Sequence, residues 1–281
     1  MFVFTKTADL QTFLNDNFSK KNIGFVPTMG ALHAGHLSLV QQSITENEAT
    51  VISVFVNPTQ FNNPDDLKKY PRTLEKDIEK LQTITNNLVV FAPSVDEMYA
   101  KNVISTTFDY DGLEHQMEGK HRPGHFDGVG TIVKKLFEIV QPTKAYFGEK
   151  DYQQLQIVKK MVEKHQLSVR VVECPIYREK NGLAMSSRNE RLSPEAREKA
   201  SIIYKTLQNI KENFHQKSIQ KQHTFVVETF KKHADFTLEY FEIADEKTLK
   251  PGKYKRKNKK FRAFIAVWIE DVRLIDTLGL I

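Results

Sequence analysis

Residues 23–36 (IGFVPTMGALHAGH) decide the fold of the first half of the chain. Residues 23–26 form a short apolar run that is typical of a buried strand, and residues 36–46 show the apolar spacing of a helix. Gly30 and Gly35 lie between the two, where a missing side chain lets the backbone approach a ligand closely. The stretch therefore predicts a strand, a turn and a helix, in that order.

The same alternation continues outward from this stretch. Leu10, Phe13, Leu14 and Phe18 predict an earlier amphipathic helix. Further strands are expected at 51–56, 88–92, 145–148 and 169–173, and further helices at 72–84, 128–140 and 152–165. Because strands that alternate with helices of this length favour βαβ units, we predict an α/β domain with a doubly wound parallel sheet.

The pattern changes after Cys174-Pro175. Ser193, Pro194 and Glu195 predict the start of a helix that runs to about Phe214. No regular βαβ repeat follows, so we predict a smaller α+β domain at the C-terminus, with the domains at 1–176 and 177–281. Its other elements are expected to be a polar helix at 217–232 and strands at 237–243 and 261–269.

Composition excludes several classes of protein. With 281 residues, 40% of them hydrophobic, a compact chain buries roughly three quarters of its surface, which argues against disorder. The net charge of +6 favours anionic ligands without specifying nucleic acid. The single cysteine, Cys174, rules out an intrachain disulfide and a cysteine-built metal cluster. No signal-peptide core or long apolar run is present, so we expect a cytoplasmic protein that does not span a membrane.

His33 and His36 lie three residues apart at the start of the predicted helix. In an open parallel sheet, ligands bind beyond the carboxyl ends of the strands, where a helix N-terminus offers free N–H groups to phosphate. Both imidazoles could donate hydrogen bonds to phosphate oxygens. The alternatives are a structural pair and a zinc site, although a catalytic zinc site needs a third protein ligand that no zinc signature supplies.

Polar residues follow two other predicted strands, at 57–60 (NPTQ) and at 148–151 (GEKD). Gln60 and Gln154 can each donate and accept hydrogen bonds, which suits a small substrate with hydroxyls and a carboxylate. Asp151 could contact a ligand or cap the helix that follows it.

Residues 185–189 (MSSRN) lie next to the predicted domain junction. The two serine hydroxyls and the guanidinium of Arg188 are good phosphate partners, and a polar linker is the alternative. Residues 253–260 (KYKRKNKK) are the densest run of charge. This run could bind RNA or a membrane surface, but a solvated hairpin loop is favoured because no glycine-aromatic RNA-binding signature accompanies it.

The chain resembles a known family. Its His-x-Gly-His turn is similar to the signature of the nucleotidylyltransferase superfamily, whose members transfer adenylate within a Rossmann-like fold. Residues 185–188 resemble the second phosphate motif of that superfamily. Further motifs occur in the order seen in the pantothenate synthetase family: PTMGALHAGH (27–36), FVNPTQF (55–61), YPRT (70–73), RPGHF (122–126), YFGEKDYQQ (146–154), GLAMSSRN (182–189) and RLID (273–276).

The resemblance implies an ATP-dependent ligase that condenses pantoate with β-alanine through a pantoyl adenylate, releasing AMP and pyrophosphate. It implies Mg²⁺ as the cofactor of the co-substrate ATP, with no metal ligand identified, and a homodimer. The partners would be these small molecules, without nucleic acid or membrane. The C-terminal domain is expected to close over the ATP site of the Rossmann-like domain.

The resemblance also implies roles for single residues. His36, with His33, Lys150 and Arg188, would neutralise charge on the phosphates. Gln60 and Gln154 would bind pantoate, and Gln60 would also face β-alanine. The residues implied to contact ATP are Met29, Gly30, Ala31, Leu32, His33, Ala34, Gly35, His36, Gly148, Glu149, Lys150, Asp151, Tyr177, Met185, Ser186, Ser187 and Arg188, with Tyr177 beside the adenine.

Some positions depart from the family or stay open. Thr59 stands where a methionine is common in the family. Asp77 is interpreted as a solvated helix acid, with an outer-sphere magnesium partner as the alternative. Residues 61–70 are a candidate lid over a water-sensitive adenylate, or an ordinary exposed loop. An aminoacyl-tRNA synthetase-like enzyme would share both phosphate motifs, and an RNA-binding module would depend on residues 253–260 alone.

Overall fold

A computed structural model describes residues 1–100 and 102–280 of the chain. They divide into two compact units, which are described separately below. Unit 1 comprises Met1–Glu114, Gly119–Gly148 and Gln154–Cys174, and unit 2 comprises His115–Glu118, Glu149–Gln153 and Pro175–Ile281. Two short segments of the N-terminal half therefore belong to unit 2.

Unit 1 is built on a six-stranded parallel sheet in the order β1-β4-β3-β2-β5-β6. The predicted doubly wound parallel sheet is confirmed, and β1 is an edge strand that apolar periodicity did not predict. The strands are β1 Phe2–Phe4, β2 Ile23–Thr28, β3 Ala49–Val54, β4 Val89–Phe91, β5 Lys144–Gly148 and β6 Arg170–Cys174.

Helices connect these strands, and the predicted ones are confirmed to within a few residues. They are α1 Thr7–Phe18, α2 Ala34–Glu46, α3 Pro64–Lys69, α4 Leu74–Gln82, α5 Val95–Tyr99, α6 Met117–His121, α7 His125–Val140 and α8 Tyr152–Lys164. In α1, the predicted apolar stripe buries Leu10 and Leu14 fully or nearly so. Because α3, α5 and α6 are only one or two turns long, they show too little periodicity to be predicted.

Strands β3, β4 and β1 lie on one side of β2, and β5 and β6 lie on the other. The order of the strands therefore reverses direction at β2. Thr28 at the carboxyl end of β2 pairs with Val54 at the end of β3. Strand β5 pairs with β2 through Gly24–Lys144 and Phe25–Ala145. The carboxyl end of β2 is therefore the switch point at which open α/β sheets bind their ligands.

Glu46, at the end of α2, accepts hydrogen bonds from Gln42, Lys144 and Tyr146 at 2.9, 3.0 and 3.0 Å. The hydrogen bond from Gln42, then that from Lys144, lowers the pKa of Glu46 from 4.5 to about 2. Since its folded pKa lies below the unfolded value, the charged carboxylate stabilises the fold above pH 4.5, and this contribution disappears as the pH falls towards 2.

We expect Glu46→Gln to lower the melting temperature at neutral pH and to approach the wild type as the pH falls from about 4.5 to about 2. Melting curves across this range measure the difference. Glu212→Gln, which changes an exposed acid at the end of a helix of unit 2, is the control and should show no such convergence. A difference between Glu46→Gln and wild type that stays constant with pH would contradict the prediction.

Unit 2 contains an antiparallel sheet in the order β7-β8-β9, formed by Phe236–Asp245, Phe261–Ile269 and Val272–Gly279. Its helices are α9 Pro194–Lys199, α10 Ser201–Glu212 and α11 Ile219–Lys231. The predicted smaller α+β part is thereby confirmed. The core of unit 2 joins apolar side chains of helices and sheet, among them Ile203, Leu207, Phe230, Phe241, Ile265 and Val267.

The prediction of one helix from Ser193 to about Phe214 is wrong, because the helix is interrupted at Ala200. Its start is confirmed, since Ser193 Oγ accepts a hydrogen bond from the Ala196 N–H at 3.1 Å. At Ala200 the backbone tightens into a turn, where the N–H of Ile203 bonds to the Ala200 carbonyl three residues back. Such a turn keeps nearly helical dihedral angles and leaves no mark on the apolar spacing.

Two arginines of unit 2, the buried Arg262 and the half-buried Arg273, pair with the segments that precede residue 175. Arg273 donates to both carboxylate oxygens of Glu118 at 2.8 and 2.8 Å. Arg262 donates to Glu149 at 3.0 Å, and its guanidinium lies 4.0 Å from the centre of the Tyr152 ring. Burial lowers the pKa of Arg273, but its bonds to Glu118 and Glu239 outweigh that and raise the pKa above its usual range. These ion pairs attach residues 115–118 and 149–153 to unit 2.

The basic run 253–260 lies in the connection between antiparallel β7 and β8, which confirms the predicted hairpin loop. Lys255 donates to the carbonyls of Phe214 and Lys217, and Lys259 forms a 2.8 Å ion pair with Asp245. Two basic side chains of the run therefore bind other residues of unit 2. Across residues 1–100 and 102–280, no helix combines the length and the apolar character needed to cross a membrane.

Candidate active site

The turn after β2 has an unusual backbone. Gly30 has φ +82° and Ala31 has φ +49°, both in the left-handed region. A Cβ on Gly30 would lie 2.9 Å from Cγ1 of Val54, so only glycine fits there. The Gly30 N–H donates to Thr28 Oγ1 at 3.1 Å. The glycine of the motif is thus required by both conformation and space.

Helix α4 supports this turn through Asp77 and Lys80. Asp77 Oδ2 accepts from the Ala31 N–H at 2.9 Å, and Oδ1 accepts from the Leu32 N–H at 2.7 Å. Lys80 Nζ donates to the Leu32 carbonyl at 2.6 Å. The interpretation of Asp77 as a solvated helix acid is wrong, because its exposed fraction is 0%.

His33 and His36 lie at the first turn of α2 and are both half-buried. Their rings stack with centroids 4.0 Å apart and an interplanar angle of 29°. His36 Nδ1 accepts from the His33 N–H at 3.3 Å. A nitrogen that accepts carries no proton, so in this arrangement the His36 proton lies on Nε2, which can donate to a ligand.

The zinc interpretation requires a third ligand near these histidines. In the described part of the chain, no cluster of three or more His, Cys, Asp or Glu side chains could hold a metal ion. The geometry instead suits hydrogen-bond donation, because an imidazole N–H and a helix N-terminus both prefer an anion.

The turn that carries Gln60 follows β3 and is anchored by Asn57, which is fully buried. Asn57 Nδ2 donates to the Gly128 carbonyl at 3.1 Å, and its Oδ1 accepts from the Tyr99 hydroxyl at 2.6 Å. A Cβ on Gly128 would lie 2.2 Å from the Thr59 carbonyl oxygen, so α7 approaches this turn closely only because residue 128 is glycine.

The backbone of Gln60 is fixed as well. Its carbonyl accepts from Arg122 at 3.1 Å and lies 2.8 Å from Nδ1 of His125. The Gln60 side chain is half-buried, as is that of Gln154 in the first turn of α8. Unit 1 therefore carries the histidine turn, Gln60 and Gln154 at the carboxyl edge of its sheet, as the strand ends predicted.

Thr59, the departure from the family pattern, has a structural role of its own. Its hydroxyl donates to Asn57 Oδ1 at 3.3 Å and lies 3.2 Å from the Tyr99 hydroxyl oxygen. A methionine could not join this network, because a thioether cannot donate a hydrogen bond. The substitution leaves Gln60 in place and adds polar contacts beneath it.

In unit 2, the sequence Glu149–Asp151 forms a short 3-10 helix. The carboxylate of Glu149 is bound to Arg262, so its side chain is already in use. Lys150 Nζ lies 3.7 Å from Asp151 Oδ2, and the Lys150 side chain is 18% exposed. Lys150 thus provides a positive charge that is partly shielded from solvent.

The loop before the Met-Ser-Ser-Arg stretch is organised by Arg178. Its guanidinium donates to both oxygens of Asp276 at 2.6 and 3.0 Å and lies 3.7 Å from the centre of the Tyr204 ring. Burial raises the pKa of Asp276, and Arg178 opposes that rise. Arg178 also donates to the carbonyl of Gly182, which has φ +95°. The loop can therefore reverse direction at this glycine.

The Met-Ser-Ser-Arg stretch follows directly from this loop. The Met185 N–H donates to the Tyr177 carbonyl at 3.0 Å, while Tyr177 itself is 46% exposed. Ser186 Oγ accepts from the Arg188 N–H at 3.3 Å. Asn189 is buried and donates to Glu179 at 2.7 Å and to the Ala184 carbonyl at 3.1 Å. Asn189 thus anchors the stretch, a role that the sequence analysis missed.

The switch point at β2 and the histidine turn beyond it define a class of protein: Rossmann-like α/β enzymes that bind nucleotide phosphates. More narrowly, the chain belongs to the pantoate–β-alanine ligase family, whose model matches residues 2–279. The predicted resemblance is confirmed, and the chain is an enzyme of the ligase class.

Curated relatives agree with this family. The chain is 58% identical over 281 residues to pantothenate synthetase of Flavobacterium psychrophilum, covering 100% of both sequences. It is 53% identical over 260 residues to pantothenate synthetase of Christiangramia forsetii, covering 92% of each.

Solved structures agree as well. Pantothenate synthetase of Thermus thermophilus matches with a TM-score of 0.91 and 40% identity, covering 100% of this chain and 99% of that one. Pantoate–β-alanine ligase of Francisella tularensis, crystallised with beta-gamma ATP and β-alanine, matches with a TM-score of 0.81 and 34% identity, covering 100% and 98%.

Proposed function

We propose that this chain condenses pantoate with β-alanine at the expense of ATP, in two stages joined by a pantoyl adenylate. The observation that carries the proposal is the histidine turn at the carboxyl end of β2, held by Asp77 and followed by the N-terminus of α2. Such a site binds phosphate through N–H groups and a helix dipole. The full-length family match favours this reaction over that of an aminoacyl-tRNA synthetase-like enzyme.

In the first stage, a carboxylate oxygen of pantoate attacks the α-phosphorus of ATP, and the bond from that phosphorus to the pyrophosphate oxygen breaks. The substrate supplies the nucleophile, so the protein contributes positioning and charge stabilisation. We propose that His36 donates its Nε2–H to a phosphate oxygen as charge develops there. His33 and the turn from Met29 to Gly35 are proposed to lie against the same nucleotide.

Further phosphate ligands are proposed on the family resemblance. Lys150 and Arg188 neutralise phosphate charge, and the hydroxyls of Ser186 and Ser187 donate hydrogen bonds. Because the Glu149 carboxylate is bound to Arg262, Glu149 contacts ATP through its backbone. The other proposed ATP contacts are Gly148, Asp151, Tyr177 and Met185.

In the second stage, the amine of β-alanine attacks the acyl carbon of the pantoyl adenylate, and AMP leaves.

Gln60 and Gln154 are proposed to hold the hydroxyls and carboxylate of pantoate, because a side-chain amide offers both donor and acceptor. Gln60 also faces β-alanine. Its backbone carbonyl, fixed by Arg122 and His125, keeps the side chain at the edge of the sheet.

We propose that Mg²⁺ arrives bound to ATP. The described residues contain no acidic cluster that could hold a metal by themselves, which fits a cation held mainly by phosphate oxygens and water. When bound, Mg²⁺ would neutralise phosphate charge. We further propose, on the family resemblance, that the enzyme acts as a homodimer in the cytoplasm, without nucleic acid or membrane partners.

The two-stage reaction is tested by supplying its substrates separately. With ATP and pantoate alone, a burst of pyrophosphate equal to the number of active sites is expected, and AMP should appear only after β-alanine is added. Pyrophosphate and AMP are measured in the same quenched samples. Release of pyrophosphate that requires β-alanine from the start would contradict the proposed intermediate.

Gln154→Ala is expected to reduce kcat/KM for pantoate about 10- to 100-fold, because a hydrogen bond to a charged group contributes about 1.5–3 kcal/mol. The first-stage burst rate at varied pantoate measures the effect. Gln156→Ala is the matched control, since this glutamine lies on the same helix two residues later and points away from Gln154. Equal kinetics for both variants would remove Gln154 from the proposed site.

A further inference from the structure

We infer that Asp77 is a positioning residue for ATP, which fixes the phosphate-binding turn and thereby the two histidines. The inference deepens the proposed function and rests on it. Asp77 lies in α4, more than forty residues after the turn in the sequence. The fold brings its carboxylate into hydrogen-bond contact with the turn.

The contacts of Asp77 are specific to the turn. Its two carboxylate oxygens accept from consecutive N–H groups, those of Ala31 and Leu32, at 2.9 and 2.7 Å. The Thr73 hydroxyl lies 3.4 Å from each oxygen. A carboxylate buried to 0% exposure is costly unless it is hydrogen-bonded, and these bonds meet that requirement.

The turn needs such support because its conformation is unfavourable. Ala31 has φ +49°, which a residue with a Cβ rarely adopts and which persists only when the surroundings enforce it. The Ala31 N–H is one of the two groups that Asp77 binds. Without the carboxylate, Ala31 is expected to relax towards ordinary dihedral angles, which would rotate the residues that follow it.

Lys80 completes the support from the same helix. Its Nζ donates to the Leu32 carbonyl at 2.6 Å, so α4 binds Leu32 at both its N–H and its carbonyl. Leu32 is buried and directly precedes His33, the N-cap residue of α2. The positions of His33 and His36 therefore depend on α4.

A role as magnesium partner is the competing explanation. An outer-sphere partner must reach the water shell of the cation, whereas Asp77 has no exposed surface. Both of its oxygens are already occupied by backbone N–H groups. The geometry therefore favours positioning of the turn.

The test uses the full-length enzyme with Asp77→Asn and Lys80→Met. The amide introduced by Asp77→Asn would present an N–H where an acceptor is needed, and Lys80→Met keeps the length of the side chain while removing the donor. Calorimetry measures the affinities of a non-hydrolysable ATP analogue and of pantoate separately. Single-turnover pyrophosphate release at saturating substrates measures the first stage. Glu75→Gln, which changes an exposed acid on the same helix, is the control.

We expect Asp77→Asn to lower the first-stage rate or the ATP affinity about 10- to 100-fold, as a misplaced binding group does, with pantoate affinity unchanged. Lys80→Met should show the same pattern with a smaller loss, so the test stands even if Asp77→Asn fails to fold. Parallel loss of ATP and pantoate affinity in these variants would indicate a merely structural role and overturn the inference.

Two further outcomes would also overturn it: wild-type behaviour of the variants, or recovery of Asp77→Asn at high Mg²⁺ alone. The wild-type enzyme separates this inference from the proposed function. If the wild type itself released no pyrophosphate with pantoate, the proposed function would fail. A normal burst in wild type and in Asp77→Asn would reject only the role of Asp77.

Discussion

Replacement of His36 by alanine is expected to slow the first stage about 10²- to 10³-fold at saturating ATP, or roughly 2.7–4 kcal/mol. The physical reason is the loss of one preorganised N–H donor to a phosphate that gains charge in the transition state. His36 is suited to this role because its Nδ1 accepts from the His33 N–H, which leaves the proton on Nε2.

Single-turnover pyrophosphate release measures this loss, and two further variants define its origin. His36→Gln retains a side-chain N–H donor and should recover part of the rate. His215→Ala removes an exposed imidazole in unit 2 and should match the wild type. Wild-type rates in His36→Ala would remove this histidine from the mechanism.

Asp276→Ala is expected to have the largest effect on stability, about 3–5 kcal/mol in the free energy of unfolding. The substitution leaves the half-buried guanidinium of Arg178 without its counter-ion, since Asp276 binds that group through both oxygens. Urea unfolding followed by fluorescence measures the change, with Glu138→Ala at the exposed Lys134–Glu138 pair as a control that should cost less than about 1 kcal/mol.

The double variant Arg178→Met with Asp276→Leu distinguishes the cause. When both charges are replaced by apolar side chains of similar size, much of the lost stability should return, because no charge is left uncompensated. A double variant as unstable as Asp276→Ala would contradict the ion-pair explanation and indicate a packing defect instead.

The fold of unit 1 could be predicted because its signals are local. Residues 23–36 contain a strand, a turn and a helix start in one continuous stretch, and the structure places β2 and α2 there. The break at Ala200 could not be predicted, since helical spacing of apolar residues continues across it. Strand β9 was also missed, although Val272, Ile275 and Thr277 are β-branched residues typical of strands.

The residues of the candidate site also fall into two groups, those that the sequence identifies and those that only the fold brings to the site. The histidine turn and the Met-Ser-Ser-Arg stretch are contiguous motifs, so the sequence alone identified them. Asp77 is one of several acids on a short helix, and nothing in the spacing distinguishes it from Glu75 or Glu79. Only the fold brings its carboxylate to Ala31 and Leu32, and that is why a buried support was first interpreted as a solvated acid.

The ion pairs of Arg262 and Arg273 constrain how this chain can be divided or recombined. Their carboxylates, Glu149 and Glu118, precede residue 175 and yet belong to unit 2. A fragment that starts at 175 would lack Glu118 and Glu149, so each guanidinium would lose one of its two carboxylate partners and keep the other, Glu239 for Arg273 and Glu246 for Arg262. A chimaera of two relatives joined at that point would likewise mismatch these partners unless residues 115–118 and 149–153 came from the same parent as the C-terminal part.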